Sequence, residues 1–218
     1  MSAPVTESLA RRAIERSVAD RQERYEREVR RIMDATYDLI ERTGTLEPSL
    51  RDILADAGLS TQGFYRYFQS KDELMLVLLD DGRRRLVDYL THRMEGQRTA
   101  QAKVRAWIAG VLAQAADPHA AARSRPFVAN EDRLAQLFPA EQQASVDMLV
   151  DLLADALGEA VTDTRDRRPL RRNAEAIFRL TFATLHSHLI RGTRSAPQEV
   201  EHLARFCLRG AGAEGEGR

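Results

Sequence analysis

Apolar side chains at Val29, Ile32, Met33, Leu39 and Ile40, with Thr36 in register, follow the i, i+3, i+4, i+7 spacing that lays one stripe along an α-helix, and Gly44 marks its end. Upstream, Glu7 to Arg31 alternates charges with few apolar anchors, the pattern of a solvated helix or a mobile arm. A two-turn stripe of Leu50, Ile53, Leu54 and Ala57 opens on Ser49, with Asp52 three residues on, and closes at Gly58. Ser60 caps a third segment, Thr61 to Phe68, and Ser70 with Glu73 opens a long helix carrying Leu74, Val77, Leu78, Leu86, Tyr89 and Leu90 until Gly96. Beyond it the pattern predicts helices over 97–116, 139–161, 169–191 and 197–209, with a broken stretch over 118–130. The fold class expected is all-α, in four parts: a charged extension 1–28, a compact unit 29–72, a helical unit 73–210 and a disordered tail 211–218.

Two short helices joined by Ala57-Gly58-Leu59-Ser60, with glycine at the turn, have the layout of a helix-turn-helix, whose second helix enters the major groove of DNA. Thr61 to Phe68 would be about 12 Å long, comparable with the groove's width of about 12 Å. At about 100° per residue, Phe64 and Phe68 share the inner face, with Thr61 and Tyr65 at its edges. Gln62, Gly63, Arg66 and Tyr67 fall on the outer arc. Gln62 and Arg66 have side chains suited to bidentate contact with adenine and guanine, and Gly63 lets the backbone come close. Taken alone, the same residues also suit a merely solvated face on a small bundle.

Charge adds no support for DNA: 33 basic residues balance 33 acidic ones, and residues 1–71 carry twelve of each. Nucleic-acid binding must therefore rest on local arrangement. No run approaches the roughly 20 apolar residues of a membrane span, and the N-terminus lacks the apolar core of a signal peptide, so a cytoplasmic location and no membrane partner are expected. Cys207 is the single cysteine and reads as a small buried apolar group.

The run "GLSTQGFYRYFQSKDEL" resembles the DNA-binding signature of the TetR/AcrR family of transcriptional regulators, closely over about residues 29–79 and loosely beyond. Asp52-Ile53, Ala57-Gly58, Phe64-Tyr65, Phe68 and Ser70-Lys71 carry the match. The resemblance implies an N-terminal three-helix DNA-binding domain with a helix-turn-helix and a C-terminal helical domain for ligand binding and dimerisation. It implies phosphate contacts by Ser49, Arg51, Tyr65 and Lys71, with Thr61, Gln62, Gly63, Arg66 and Tyr67 facing the groove. Pro48 stands where relatives carry threonine, and Tyr67 where histidine is commoner. The extension before Val29 is longer than usual, with Arg11 and Arg12 read either as a minor-groove arm or as part of a solvated helix.

For the later helices the resemblance implies a ligand pocket and a dimer-forming helix pair. On the helix at 169–191, Phe178, Phe182, Leu185 and Leu189 form one apolar side, and Ala176, Leu180, Ala183, Ser187 and Ile190 another, one for the core and one for a subunit interface. Trp107, Phe127, Asn130, Phe138, Met148, Phe182 and His186 are the candidate lining of a pocket for a small hydrophobic effector with few inward charges, and each also suits ordinary core packing. His186 and His188 lie two apart on different faces, so no metal is expected there. No nucleophile motif, phosphate loop or ligand cluster predicts a catalytic residue or a cofactor. The expected function is a homodimeric repressor that binds double-stranded operator DNA and is released by its effector. The alternative is a helical adaptor whose partner is a protein.

Overall fold

The structure, a computed structural model, describes residues 9–45, 47–159 and 168–213. Among them are ten helices: α1 (Leu9–Thr43), α2 (Leu50–Ala57), α3 (Thr61–Phe64), α4 (Lys71–Glu95), α5 (Ala100–Ala113), α6 (Pro118–Ala129), α7 (Glu131–Leu137), α8 (Pro139–Gly158), α9 (Arg168–Arg191) and α10 (Pro197–Gly210). The described residues contain no strand. No helix among them is long and apolar enough to cross a membrane. The end of the tail, 214–218, lies outside the described residues.

The predicted caps form. Ser49 Oγ accepts from the Asp52 N–H at 3.2 Å, Ser60 Oγ from Gly63 at 3.0 Å and Ser70 Oγ from Glu73 at 3.0 Å, each satisfying a donor that the first helical turn leaves unpaired. Gly58 ends α2 at φ 60° and ψ 41°, a left-handed conformation that a side chain resists. Arg31 of α1 closes the same turn from outside: its Nε donates to the Ala57 carbonyl at 3.0 Å and its Nη2 to the Gly58 carbonyl at 3.2 Å. A cation thus sits at the negative end of α2 and ties it to α1.

Two apolar cores are joined by α4. The smaller gathers Ile32, Ile53, Phe64, Phe68, Leu74 and Leu78, and it also takes Phe127 from α6 and Leu134 from α7. The larger, around Trp107, Ile108, Leu149, Leu153 and Leu185, includes Leu90 and Met94 from the far end of α4. Helix α4 therefore contributes its first turns to one core and its last turns to the other.

Several expectations need correction. Of the two readings of the charged extension, the solvated helix is the one present: α1 runs unbroken from Leu9 through Val29, with pairs one turn apart such as Arg11 with Glu15 at 3.1 Å and Glu23 with Arg27 at 2.6 Å. Arg11 and Arg12 lie on that exposed helix. The segment expected to be broken at 118–130 is one helix that holds Pro126 inside it, and α7, which sequence reasoning did not foresee, follows at once. Helix α3 is α-helical only over Thr61–Phe64 and then tightens into a turn. On α9 the buried line runs through Ala174, Ile177, Thr181, Leu185 and Leu189, leaving Phe178 and Phe182 half-buried beside it.

Candidate functional site

Helix α3 is anchored by its inner face. Phe64 is fully buried, and its ring centroid lies 5.4 Å from that of Phe68. With the back fixed, Thr61, Gln62, Tyr65 and Arg66 stand exposed and Gly63 is half-buried. The side chains of Gln62 and Arg66 make no hydrogen bond or ion pair among the described residues, and the same holds for that of Arg51, exposed on the first turn of α2. Their donors are free to meet base edges or phosphates.

Tyr67 departs from the expected outer arc. Beyond Phe64 the chain closes i to i+3 bonds, Gly63 O to Arg66 N at 3.3 Å and Phe64 O to Tyr67 N at 2.9 Å. Three residues per turn set Tyr67 almost above Phe64 rather than 60° away from it. Its ring turns inward, half-buried, with its centroid 4.8 Å from that of Tyr25 on α1.

The side chains expected to bind phosphate are partly engaged within the protein. The Ser49 hydroxyl accepts from the Asp52 N–H and donates to the Asp52 carboxylate at 2.6 Å, which leaves its backbone N–H as the outward donor. Lys71 Nζ lies 3.2 Å from Glu47 Oε1. Arg133 of α7 reaches the same oxygen at 3.2 Å and Asp72 at 2.9 Å. The hydrogen bond from Lys71 is the leading reason that the Glu47 carboxyl titrates below its ordinary range. This exposed cluster joins α7 to the mouth of α4 and the loop before α2.

A second ionic bridge lies one helix away. Glu41 of α1 accepts from Arg123 Nε at 3.1 Å and pairs with His119, both on α6. The His119 contact is the foremost influence lowering the Glu41 pKa. The Arg123 guanidinium sits 5.1 Å from the centre of the Tyr37 ring and that of Arg85 5.6 Å from it. Tyr37 donates its hydroxyl to the Leu78 carbonyl at 2.6 Å, and burial, ahead of Asp81, pushes its pKa up.

Behind these bridges lies a cavity of about 1150 Å³ between α4, α6 and α9. Phe127, Phe182 and His186 of the expected lining border it. Trp107 does not: it is fully buried beneath Phe178 and Phe182, with ring centroids 6.5 and 6.4 Å away. Asn130 donates to the Pro126 carbonyl at 2.8 Å at the end of α6, Phe138 packs against the N-terminal core, and Met148 is half-buried on α8, all three outside the lining. The cavity is also more charged than expected, with Arg83, Arg85, Arg123 and Arg179 set against Asp117 and Glu131. One sequence signal was available for Arg83, since it falls in register with Leu79, Leu86 and Leu90 on an otherwise apolar stripe.

His188 does not join His186, and bonds instead to Glu199 at 3.0 Å and Thr193 at 2.8 Å. Among the described residues no group of three metal-ligating side chains forms. Cys207 is buried, which pushes its pKa up to about 11 and leaves the thiol protonated and inert.

Residues 32–78 match the sequence model of the bacterial regulatory proteins of the tetR family. No curated protein sequence matches the chain significantly. Solved structures share the fold: the fatty acid degradation regulator FadR from Bacillus halodurans, at a TM-score of 0.64 and 19% identity, covers 83% of this chain and 94% of its own. A putative TetR-family regulator from Mesorhizobium loti gives 0.61 and 21%, over 86% and 96%. The regulator FadR from Bacillus subtilis, solved in complex with stearoyl-CoA, gives 0.59 and 17%, over 83% and 96%. The match falls on the helices that build the helix-turn-helix, and the likeness in fold continues through the helices that enclose the cavity: residues 32–78 are similar to the bacterial regulatory proteins of the tetR family, and the chain shares the fold of these solved regulators.

Proposed function

We propose that the chain is a homodimeric repressor that grips operator DNA through α3 and lets go when a small, largely apolar effector fills the cavity. One observation carries the DNA half of this reading: Gln62 and Arg66 stand exposed and unpaired on a helix whose back is locked by Phe64 and Phe68. Preorganised donors of this kind suit adenine and guanine edges in the major groove. Thr61, Gly63 and Tyr65 lie beside them, and Ser49, Arg51 and Lys71 flank them where phosphates would run. Tyr67 acts in this reading by bracing α3 against Tyr25. Lys71 must exchange Glu47 for a phosphate on binding.

Two-fold symmetry supplies the second recognition helix that one short reader needs. Exposed Leu180 and Ile190 on α9, with Ala176 and Ala183, and exposed Phe206 on α10 offer an apolar patch for the second subunit. The apolar share of the cavity supports the effector half, and the stearoyl-CoA held by the Bacillus subtilis relative suggests a long acyl chain as the kind of occupant. Release requires that the effector favour a conformation in which the two α3 helices no longer fit successive grooves. Helix α4, shared by both cores, is the element that transmits it.

The variants Gln62→Ala and Arg66→Ala test the reading. Each is expected to lose about 1–3 kcal/mol of discrimination between operator and unrelated duplex, while Lys71→Ala weakens all duplexes alike and lowers the salt dependence. Binding titrations on matched and mismatched duplexes read both effects. An unchanged site preference in Arg66→Ala would reject α3 as the reading element.

A further inference from the structure

We infer that the cavity takes an amphipathic anion, with the negative head group held by Arg83 and the apolar tail by Phe178, Phe182 and their neighbours. The inference rests on the effector cavity proposed above and names the chemistry of its occupant.

Arg83 is 8% exposed and lines the cavity from the middle of α4. A guanidinium carries five N–H donors and stays charged. Among the described residues this one makes a single hydrogen bond, from Nη1 to Gln142 Oε1 at 2.9 Å, and no carboxylate lies within ion-pair distance. The other three arginines of the lining are each paired: Arg85 with Asp81 at 2.7 Å, Arg123 with Glu41 at 3.1 Å and Arg179 with Glu175 at 3.6 Å. Asp80 and Glu131 act on Arg83 only from a distance, and Asp80 is committed to Arg84 at 2.7 Å. Burial disfavours the Arg83 cation accordingly.

A buried guanidinium with one neutral partner is costly, and a side chain without its counter-ion at the wall of a large cavity marks where a ligand's charge belongs. Arginine also fits a carboxylate or phosphate with two parallel hydrogen bonds, a geometry that lysine lacks. The remaining surface is largely apolar, with Leu86, Val128, Phe178, Phe182, Leu185 and Leu189 around the same space. The Phe178 and Phe182 rings are stacked with centroids 4.3 Å apart and give the cavity one aromatic side for a tail. A cavity of about 1150 Å³ exceeds the roughly 300–1000 Å³ of an ordinary small-molecule site, which leaves room for a long chain as well as a head group.

Trp107, the sole tryptophan, packs against both rings, so its fluorescence reports occupancy without any DNA present. The test titrates the full chain with dodecanoate, dodecyl phosphate, dodecan-1-ol and dodecyltrimethylammonium, all below their micelle concentrations, by calorimetry and tryptophan emission. Either anion, or both, is expected to bind about tenfold or more tighter than the alcohol, with the cation weaker still. Which anion wins identifies the head group. Arg83→Met, which keeps length and removes charge, should bind anion and alcohol alike, while Arg83→Lys should keep part of the preference. Equal binding of alcohol and anions by the unaltered protein, a preference for the cation, no binding of any of the four, or a preserved anion preference in Arg83→Met would overturn the inference. Should Arg83→Met not fold, the ligand series on the unaltered protein decides alone. Anion-selective binding without any change in operator affinity would uphold the inference and remove effector release instead.

Discussion

Phe64→Ala is expected to destabilise the N-terminal unit by about 3–5 kcal/mol and to abolish DNA binding, although the substituted ring would never touch DNA. The ring is fully buried where α1, α2, α3 and α4 meet, in contact with a core that includes Ile32, Ile53 and Leu74. The α-helical part of α3 is only four residues long and has no stability of its own. Its shape is the shape that this core imposes. Urea unfolding followed by circular dichroism should show an early transition for the N-terminal unit, with the helices around Trp107 persisting. A loss below about 1 kcal/mol would mean that α3 is held by something other than this ring.

Trp107→Ala is the second large effect, again about 3–5 kcal/mol, and here the comparison with Trp107→Phe is decisive. The indole is wholly buried, and its Nε1 has no protein partner among the described residues. No hydrogen bond is lost on substitution, so the cost is packing alone. Phenylalanine refills part of the space and removes an unpaired donor, so Trp107→Phe should recover most of the stability. Alanine also takes away the support under Phe178 and Phe182, and the cavity wall slumps. Thermal unfolding checks the ranking, and a phenylalanine variant as unstable as the alanine one would show that the indole N–H is satisfied after all.

The parts of the molecule readable in its sequence are those determined within one or two helical turns. Ser49, Ser60 and Ser70 each cap the helix that follows because the partner N–H is three residues away, and Gly58 ends α2 because its own backbone angles require it. The Phe64 and Phe68 pair was equally local. What escaped depends on distant partners. Helix α7 has one buried anchor, Leu134, too little periodicity to announce a helix, and it exists because that leucine completes the N-terminal core. Tyr67 turns inward toward Tyr25, 42 positions away, once the chain tightens after Phe64. Lys71 is met by Glu47 and, through it, by Arg133 from another part of the chain. For the cavity, Phe127, Phe182 and His186 were legible as residues of the right type on the right helices. Trp107 was not separable from them, since a core aromatic and a lining aromatic look alike until α9 is laid across α5. Arg83 was overlooked because an arginine on a helix is ordinarily solvated, and its register with Leu79 and Leu86 was the one local sign against that; its partner Gln142 lies 59 positions on.

The central claim is that α3 reads DNA, and fluorescence anisotropy with the chain's own upstream duplex, a scrambled duplex of equal length and two salt concentrations tests it most directly. The account predicts tighter binding to the upstream duplex, affinity that falls as a power of the salt concentration because phosphate contacts release counter-ions, and loss of the sequence preference in Arg66→Ala. Equal affinity for both duplexes, unaltered by salt and by Arg66→Ala, would contradict it.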